Sequence, residues 1–297
     1  DQARYLYVQP KNKIDVLFLG SSHVHCNVNT QLLWDEYGMA AYLMTGAEQP
    51  LWNSYYNLKE ALKTQKPKLV VLDMFCPSRF YDDFQPGWAD ENLDGMRISL
   101  NKLEAVYTSV QEEQSHFFLG FTEYHSRYDQ LTTEDFQNFV WNRKTQERWK
   151  GYTPLNRHAE LTEPDMSHVT TSQEMTEKSK EYFEKVVELT KKEGITLALI
   201  SGPYLLEERD QEVYNFIGQL AEKDGLLFWN TNTPAHYREM GLDFSTDYAD
   251  HAHLNEAGGA KYTAYLGKWL SQNYSFPDRR GQKGYESWEN QLMKSGE

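Results

Sequence analysis

Five short apolar runs, each followed by a helical pattern, constrain this chain more than any other feature. They are IDVLFLG (14–20), AAYLM (40–44), KLVVLDMF (68–75), ITLALIS (195–201) and LLFWN (226–230). Runs that are apolar at nearly every position have no polar face to offer water, so they belong to strands buried on both sides. Parallel strands joined by helices meet that demand, because the crossovers cover both faces of the sheet. Between the runs, a helix over 30–37 ends at Gly38. Pro50 suits a first helical turn, and Leu51, Tyr55, Leu58 and Leu62 then stripe one face, with Pro67 just beyond. Tyr182, Phe183, Val186 and Leu189 mark a long helix stopped by Gly194. Val213, Phe216, Ile217 and Leu220 mark another, and a final helix runs over 256–270. The expected fold class is α/β: a three-layer α/β/α sandwich around a five-stranded, flavodoxin-like parallel sheet.

The stretch 78–170 breaks this rhythm. It is rich in aromatic and charged residues, and it reads as a largely helical insertion over the C-terminal edge of the sheet rather than a domain of its own. The 297 residues are thus expected to form one domain, with a polar tail over 277–297 lying peripherally. The formal net charge of -14 would repel a phosphate backbone, and no basic run offsets it, so no nucleic acid is expected as a partner. Cys26 and Cys76 are the only cysteines and read as two buried free thiols rather than a disulfide framework. No apolar run reaches the 18 residues of a membrane span. A leader or anchor ahead of Asp1 is an expectation only.

In open α/β sheets ligands gather at the carboxyl ends of the strands, and two polar clusters fall there. Gly20-Ser21-Ser22-His23 follows the first strand, and DYADHAHLNEAGG, with Asp250, His251, His253 and Asn255, precedes the last helix. A serine hydroxyl needs an adjacent base to attack carbon, and imidazole titrates in the right range. The imidazole in turn needs a carboxylate to fix its tautomer. Ser22, His253 and Asp250 are therefore the candidate nucleophile, base and orienting acid, with Asp247 and His251 as alternatives in the same loop. Attack on an acyl carbon also develops an oxyanion. The backbone N–H groups of Ser22 and of Gly46, after the second strand, are its candidate donors. His23-x-His25 and His251-x-His253 raise a zinc alternative, but nothing like HExxH accompanies them, so neither metal nor cofactor is expected. Most of the aromatic residues are expected in the core.

These residues resemble the SGNH/GDSL hydrolase superfamily. Gly20-Ser21-Ser22 matches its Gly-Asp-Ser block, Gly46 its second block, and Asp250-x-x-His253 its terminal Asp-x-x-His block. The FLGSSH start and the insertion look more like the extracytoplasmic branch that modifies cell-envelope polymers, with DltD and the alginate acetylation proteins. Two positions depart from the pattern. Ser21 replaces the usual Asp, and LDMFCPSRF has no Gly-x-Asn-Asp to supply a side-chain oxyanion donor. Gln49, Asn53, His125 and Arg127 are candidate substitutes, and His23 is a further pocket candidate. The resemblance implies a serine esterase or O-acyltransferase acting on esters of a cell-envelope carbohydrate or polymer, outside the cytoplasm and anchored or secreted. The alternative is an inactive scaffold partnering a membrane O-acyltransferase.

Overall fold

The computed structural model describes residues 2–80, 82–84, 86–112, 114–118 and 149–289. Five strands form one sheet: β1 (Val16–Gly20), β2 (Ala41–Thr45), β3 (Leu69–Asp73), β4 (Thr196–Ser201) and β5 (Leu227–Asn230). Their order is β2-β1-β3-β4-β5, and every neighbouring pair is parallel. All five carboxyl ends therefore emerge on one rim.

The helices are α1 (Gln2–Leu6), α2 (Ser22–Asn27), α3 (Thr30–Tyr37), α4 (Leu51–Ala61), α5 (Phe75–Arg79), α6 (Ala89–Leu93), α7 (Leu100–Ser109), α8 (Glu177–Glu193), α9 (Glu208–Asp224), α10 (Pro234–Met240) and α11 (Glu256–Asn273). Side chains alternate across a strand, and the alternation in β1 builds two cores. Val16 and Phe18 pack with Leu33 of α3, Tyr237 of α10 and Leu266 of α11. Leu17 and Leu19 face the other way, towards Leu58 of α4, Val186 of α8 and Ile217 of α9. Both faces are dry, which is why the strands carry no polar alternation. The three-layer sandwich is as expected. Among the described residues, no helix is long and apolar enough to cross a membrane.

Two regions differ from their sequence reading. Part of 78–170 thickens a helical layer instead of covering the rim: Asn101 of α7 donates to the Tyr56 carbonyl and the Glu60 carboxylate of α4, at 3.0 and 2.9 Å. Residues 149–161 form an irregular strap that starts beside the edge strand. Their backbone bonds reach β2 (Leu43 N to Lys150 O, 2.8 Å), α2 (Thr153 N to His25 O, 2.7 Å) and the segment before α11 (Ala159 N to Tyr248 O, 2.8 Å).

The tail is not peripheral throughout. Trp288 is fully buried beside Trp34, and its indole N–H donates to the Ala41 carbonyl at 3.0 Å. Arg279 grips the buried carboxylate of Asp15 through two nitrogens, at 2.7 and 2.9 Å. A few apolar anchors in a polar stretch decided the outcome, and average composition hid them.

Candidate active site

The strand β1 delivers its last residue, Gly20, at a φ of +150° that disfavours a side chain. A Cβ placed there would sit 2.4 Å from Cβ of Asp73 at the end of β3. The turn can pack this tightly only around glycine. Ser21 then caps α2, its hydroxyl accepting the His23 N–H at 3.3 Å and donating to Asp73 Oδ2 at 3.1 Å. Ser21 is buried by this arrangement, and Ser22, the first residue of the helix, is half-buried. Its N–H belongs to the first turn, where no intrahelical acceptor exists, and among the described residues it has no hydrogen-bond partner.

The second cluster arrives from the far end of the chain. A bridge between Tyr248 and Leu254 closes a tight loop, with Ala249 N donating to the His253 carbonyl at 2.9 Å. Asn27, the last residue of α2, accepts the Leu254 N–H at 3.1 Å, so nucleophile helix and loop are tied directly. Gly258 lets α11 close against the loop, since a Cβ there would lie 2.2 Å from the Asp247 carbonyl oxygen. Asn255 caps α11, accepting from Ala257 N and Gly258 N.

The outcome is a chain of hydrogen bonds. Ser22 Oγ lies 2.8 Å from His253 Nε2, and His253 Nδ1 lies 2.8 Å from Asp250 Oδ1. A carboxylate can only accept, so Nδ1 carries the proton and Nε2 is left to accept from the Ser22 hydroxyl. Asp250 Oδ1 also takes the Ala252 and His253 amides, at 2.9 and 3.0 Å. Burial raises the Asp250 carboxyl, but the Ala252 N–H, His253 and Arg157 outweigh it and hold the group below the usual range. Asp250 is thus a charged partner for the imidazole. The alternatives in the loop lie elsewhere: Asp247 pairs with Lys261 at 2.7 Å, and His251 is exposed.

The remaining candidates have mixed placements. His23 is fully buried, stacked on Phe75 at 3.6 Å, and neither ring nitrogen has a partner among the described residues. Burial, reinforced by nearby His253, keeps its imidazole well below the usual histidine range, so it is neutral. The Gly46 N–H donates to the Gly20 carbonyl at 3.3 Å, continuing the β1–β2 ladder. Gln49 does not supply a free donor to the rim, since it gives its amide protons to Met44 O and Ser54 Oγ. Asn53 is buried, with its Oδ1 accepting from Ser109 Oγ on α7. His125 and Arg127 lie outside the described residues. The zinc alternative does not assemble: His25 Nδ1 is at 3.2 Å from Thr45 Oγ1, and His253 faces Ser22. Among the described residues no group of three or more metal-ligating side chains converges. Cys26 and Cys76 are free, buried thiols.

Three neighbours of the site escaped sequence reasoning. Asp73 looked like one more residue of an apolar run, yet it supports Ser21. Asn92 of α6 donates to the Ala47 and Trp88 carbonyls at 3.0 Å and presses its Oδ1 against Gly46. Arg157 of the strap pairs with Asp250 Oδ2 at 2.7 Å. None has a local signature.

Asp73 leads to a measurable consequence. Burial pushes its carboxyl up to about 7, against the Ser21 hydroxyl and the Ser21 and Phe75 amides that favour the charged form. The folded state therefore binds a proton there that the unfolded chain, with its ordinary value of 3.8, releases. Stability from this group is full below about pH 4, falls as pH rises towards 7, and levels off above. At 1.36 kcal/mol per pH unit, the part of the loss that falls between pH 5 and pH 8 is roughly 2–3 kcal/mol. Asp73→Asn is expected to flatten this slope, read by urea unfolding at pH 5 and pH 8. An unchanged slope in the variant rejects the assignment.

The class defined by fold and site is a parallel α/β sandwich with a serine–histidine–aspartate constellation at its strand-end rim. No family model matches the chain, and no curated protein matches it either. Among solved structures, it is similar to a protein of Bacteroides fragilis NCTC 9343 described as a "putative acylhydrolase", at 12% identity and a TM-score of 0.45. That similarity covers 91% of this chain and 94% of the other.

Proposed function

We propose that the protein is a serine-dependent esterase or O-acyltransferase of SGNH type. The observation that carries this reading is the unbroken relay from Ser22 Oγ through His253 to Asp250, with both links at 2.8 Å. That is hydrogen-bond reach for a nucleophile and its base before any substrate has drawn them together. Ser22 Oγ attacks the acyl carbon and passes its proton to His253 Nε2. The tetrahedral species collapses, the C–O bond to the leaving alcohol breaks, and the imidazolium returns the proton to that alcohol. Water or a sugar hydroxyl then attacks the acyl-enzyme, giving its proton to Nε2. Release of the acyl group restores the Ser22 hydroxyl.

The oxyanion is received first by the Ser22 N–H, which is unspent. Gly46 N–H joins by exchanging its bond to the Gly20 carbonyl, which at 3.3 Å is long for an N–H···O contact. The substrate class within this reading is an ester of a cell-envelope carbohydrate or polymer, handled outside the cytoplasm, and the residue resemblance is its support. A second reading, an inactive scaffold for a membrane acyltransferase, draws on the engaged Gly46 amide and on the Gln49 amide protons being spent elsewhere.

Fluorophosphonate labelling separates the two. The phosphorus is attacked by the same hydroxyl, fluoride leaves, and one adduct is expected on the peptide containing Ser22, by mass mapping. Label on Ser21, or none at all, would sink the enzymatic reading.

A further inference from the structure

We propose that Arg157 is a positioning residue of the acyl-transfer site, holding the Asp250 carboxylate in line with His253 Nδ1. This rests on the reading that Ser22 is the nucleophile. The geometry divides the Asp250 carboxylate into two halves. Oδ1 takes the His253 imidazole and the Ala252 and His253 amides, all within the loop. Oδ2 receives Arg157 Nη2 at 2.7 Å, the one side chain from outside the loop that grips the carboxylate among the described residues.

The pairing is built rather than casual. Arg157 lies between two backbone ties of the strap to the base loop. On one side Glu256 N donates to the Leu155 carbonyl at 3.0 Å. On the other, Ala159 N donates to the Tyr248 carbonyl at 2.8 Å, and His158 Nε2 meets the Ser245 carbonyl at 2.8 Å. The guanidinium is thereby held over Asp250 although its side chain is 64% exposed. An ion pair so wet contributes little to folding, so its value to the molecule lies in where it puts the charge.

That charge is seated on the imidazole's carboxylate partner. The titratable and charged groups around His253 are Asp250 and His251 of its own loop, His23 and His25 of α2, and Arg157 of the strap. Arg79 of α5 acts on neighbouring His23 and is itself paired with Asp210 and Glu207. His23 is neutral, so Arg157 is the fixed cation nearest the Asp250–His253 pair. A guanidinium there stops the carboxylate from rotating away from Nδ1.

The test follows the rate of fluorophosphonate labelling of Ser22 in wild type, Arg157→Gln and Arg157→Lys, with Arg157→Gln also made in an Asp250→Asn background. Arg157→Gln is expected to lower the rate about tenfold as Asp250 loosens. Arg157→Lys keeps a donor for Oδ2 and is expected to recover part of that loss. In the Asp250→Asn background Arg157→Gln is expected to add almost nothing, because the residue acts through that carboxylate. An equal loss with and without the carboxylate is a purely structural effect and overturns the proposal, as does a wild-type rate in Arg157→Gln. Wild-type protein that takes no label at Ser22 removes the underlying reading and the proposal with it, so the two failures are distinguishable.

Discussion

Replacing Ser22 by alanine is expected to cut turnover of a short-chain p-nitrophenyl ester by ~10³-fold or more. The hydroxyl is the relay's nucleophile, and the adjacent serine is not placed to replace it. Ser21 is buried, and its oxygen is engaged with Asp73 and the cap of α2. His253→Ala should be about as damaging, because without a base the hydroxyl keeps its proton. The double variant should be no worse than either single one, since the two groups act as a unit. Asp250→Asn tests the tautomer. An amide NH₂ facing Nδ1 would turn that nitrogen into an acceptor and place the proton on Nε2, where Ser22 needs a free lone pair. Initial rates with matched circular dichroism decide the matter, and equal rates for wild type and Ser22→Ala would reject a catalytic Ser22.

Trp288→Ala is expected to destabilise the fold by ~3–5 kcal/mol. The indole is fully buried, packs beside Trp34 and Tyr285, and satisfies the Ala41 carbonyl at the start of β2. Its removal opens a cavity and leaves that carbonyl without its donor. Lys150 stands 4.3 Å over the same ring while donating to Gln9 and Ser287, so the loss also loosens a buried cation. Trp288→Phe keeps most of the volume and should cost clearly less. Urea unfolding at constant m-value measures both, and a change under 1 kcal/mol for the alanine variant would show that the tail contributes little.

How much of this was legible depends on what kind of physics placed each residue. The strands were readable because burial on both faces forces an apolar residue at nearly every position of β1, β2 and β3. That Ser22, His253 and Asp250 meet was readable because parallel strands bring both polar clusters to one rim. Helix α2 was not. SHVHCN has no apolar stripe, and it holds its shape through the Ser21 cap and the tie from Asn27 to the base loop. Gln49 and Asn53 have the right chemistry for an oxyanion donor and the wrong surroundings, because the turn before α4 and the helix itself bury both side chains. Asp73, Asn92, Arg157 and Trp288 owe their roles to contacts 45 to 247 positions away, and no local pattern carries such information.

The strap over 149–161 has a consequence for how this site could be switched off. It touches the helix that bears the hydroxyl, the loop that bears the imidazole and the outer edge of the sheet, yet contributes no strand to it. A single cut by a protease within it is expected to slacken the brace between the two halves of the relay. Because Tyr152 of the same segment is buried in one of the two cores, such a nicked protein is expected to lose stability together with activity.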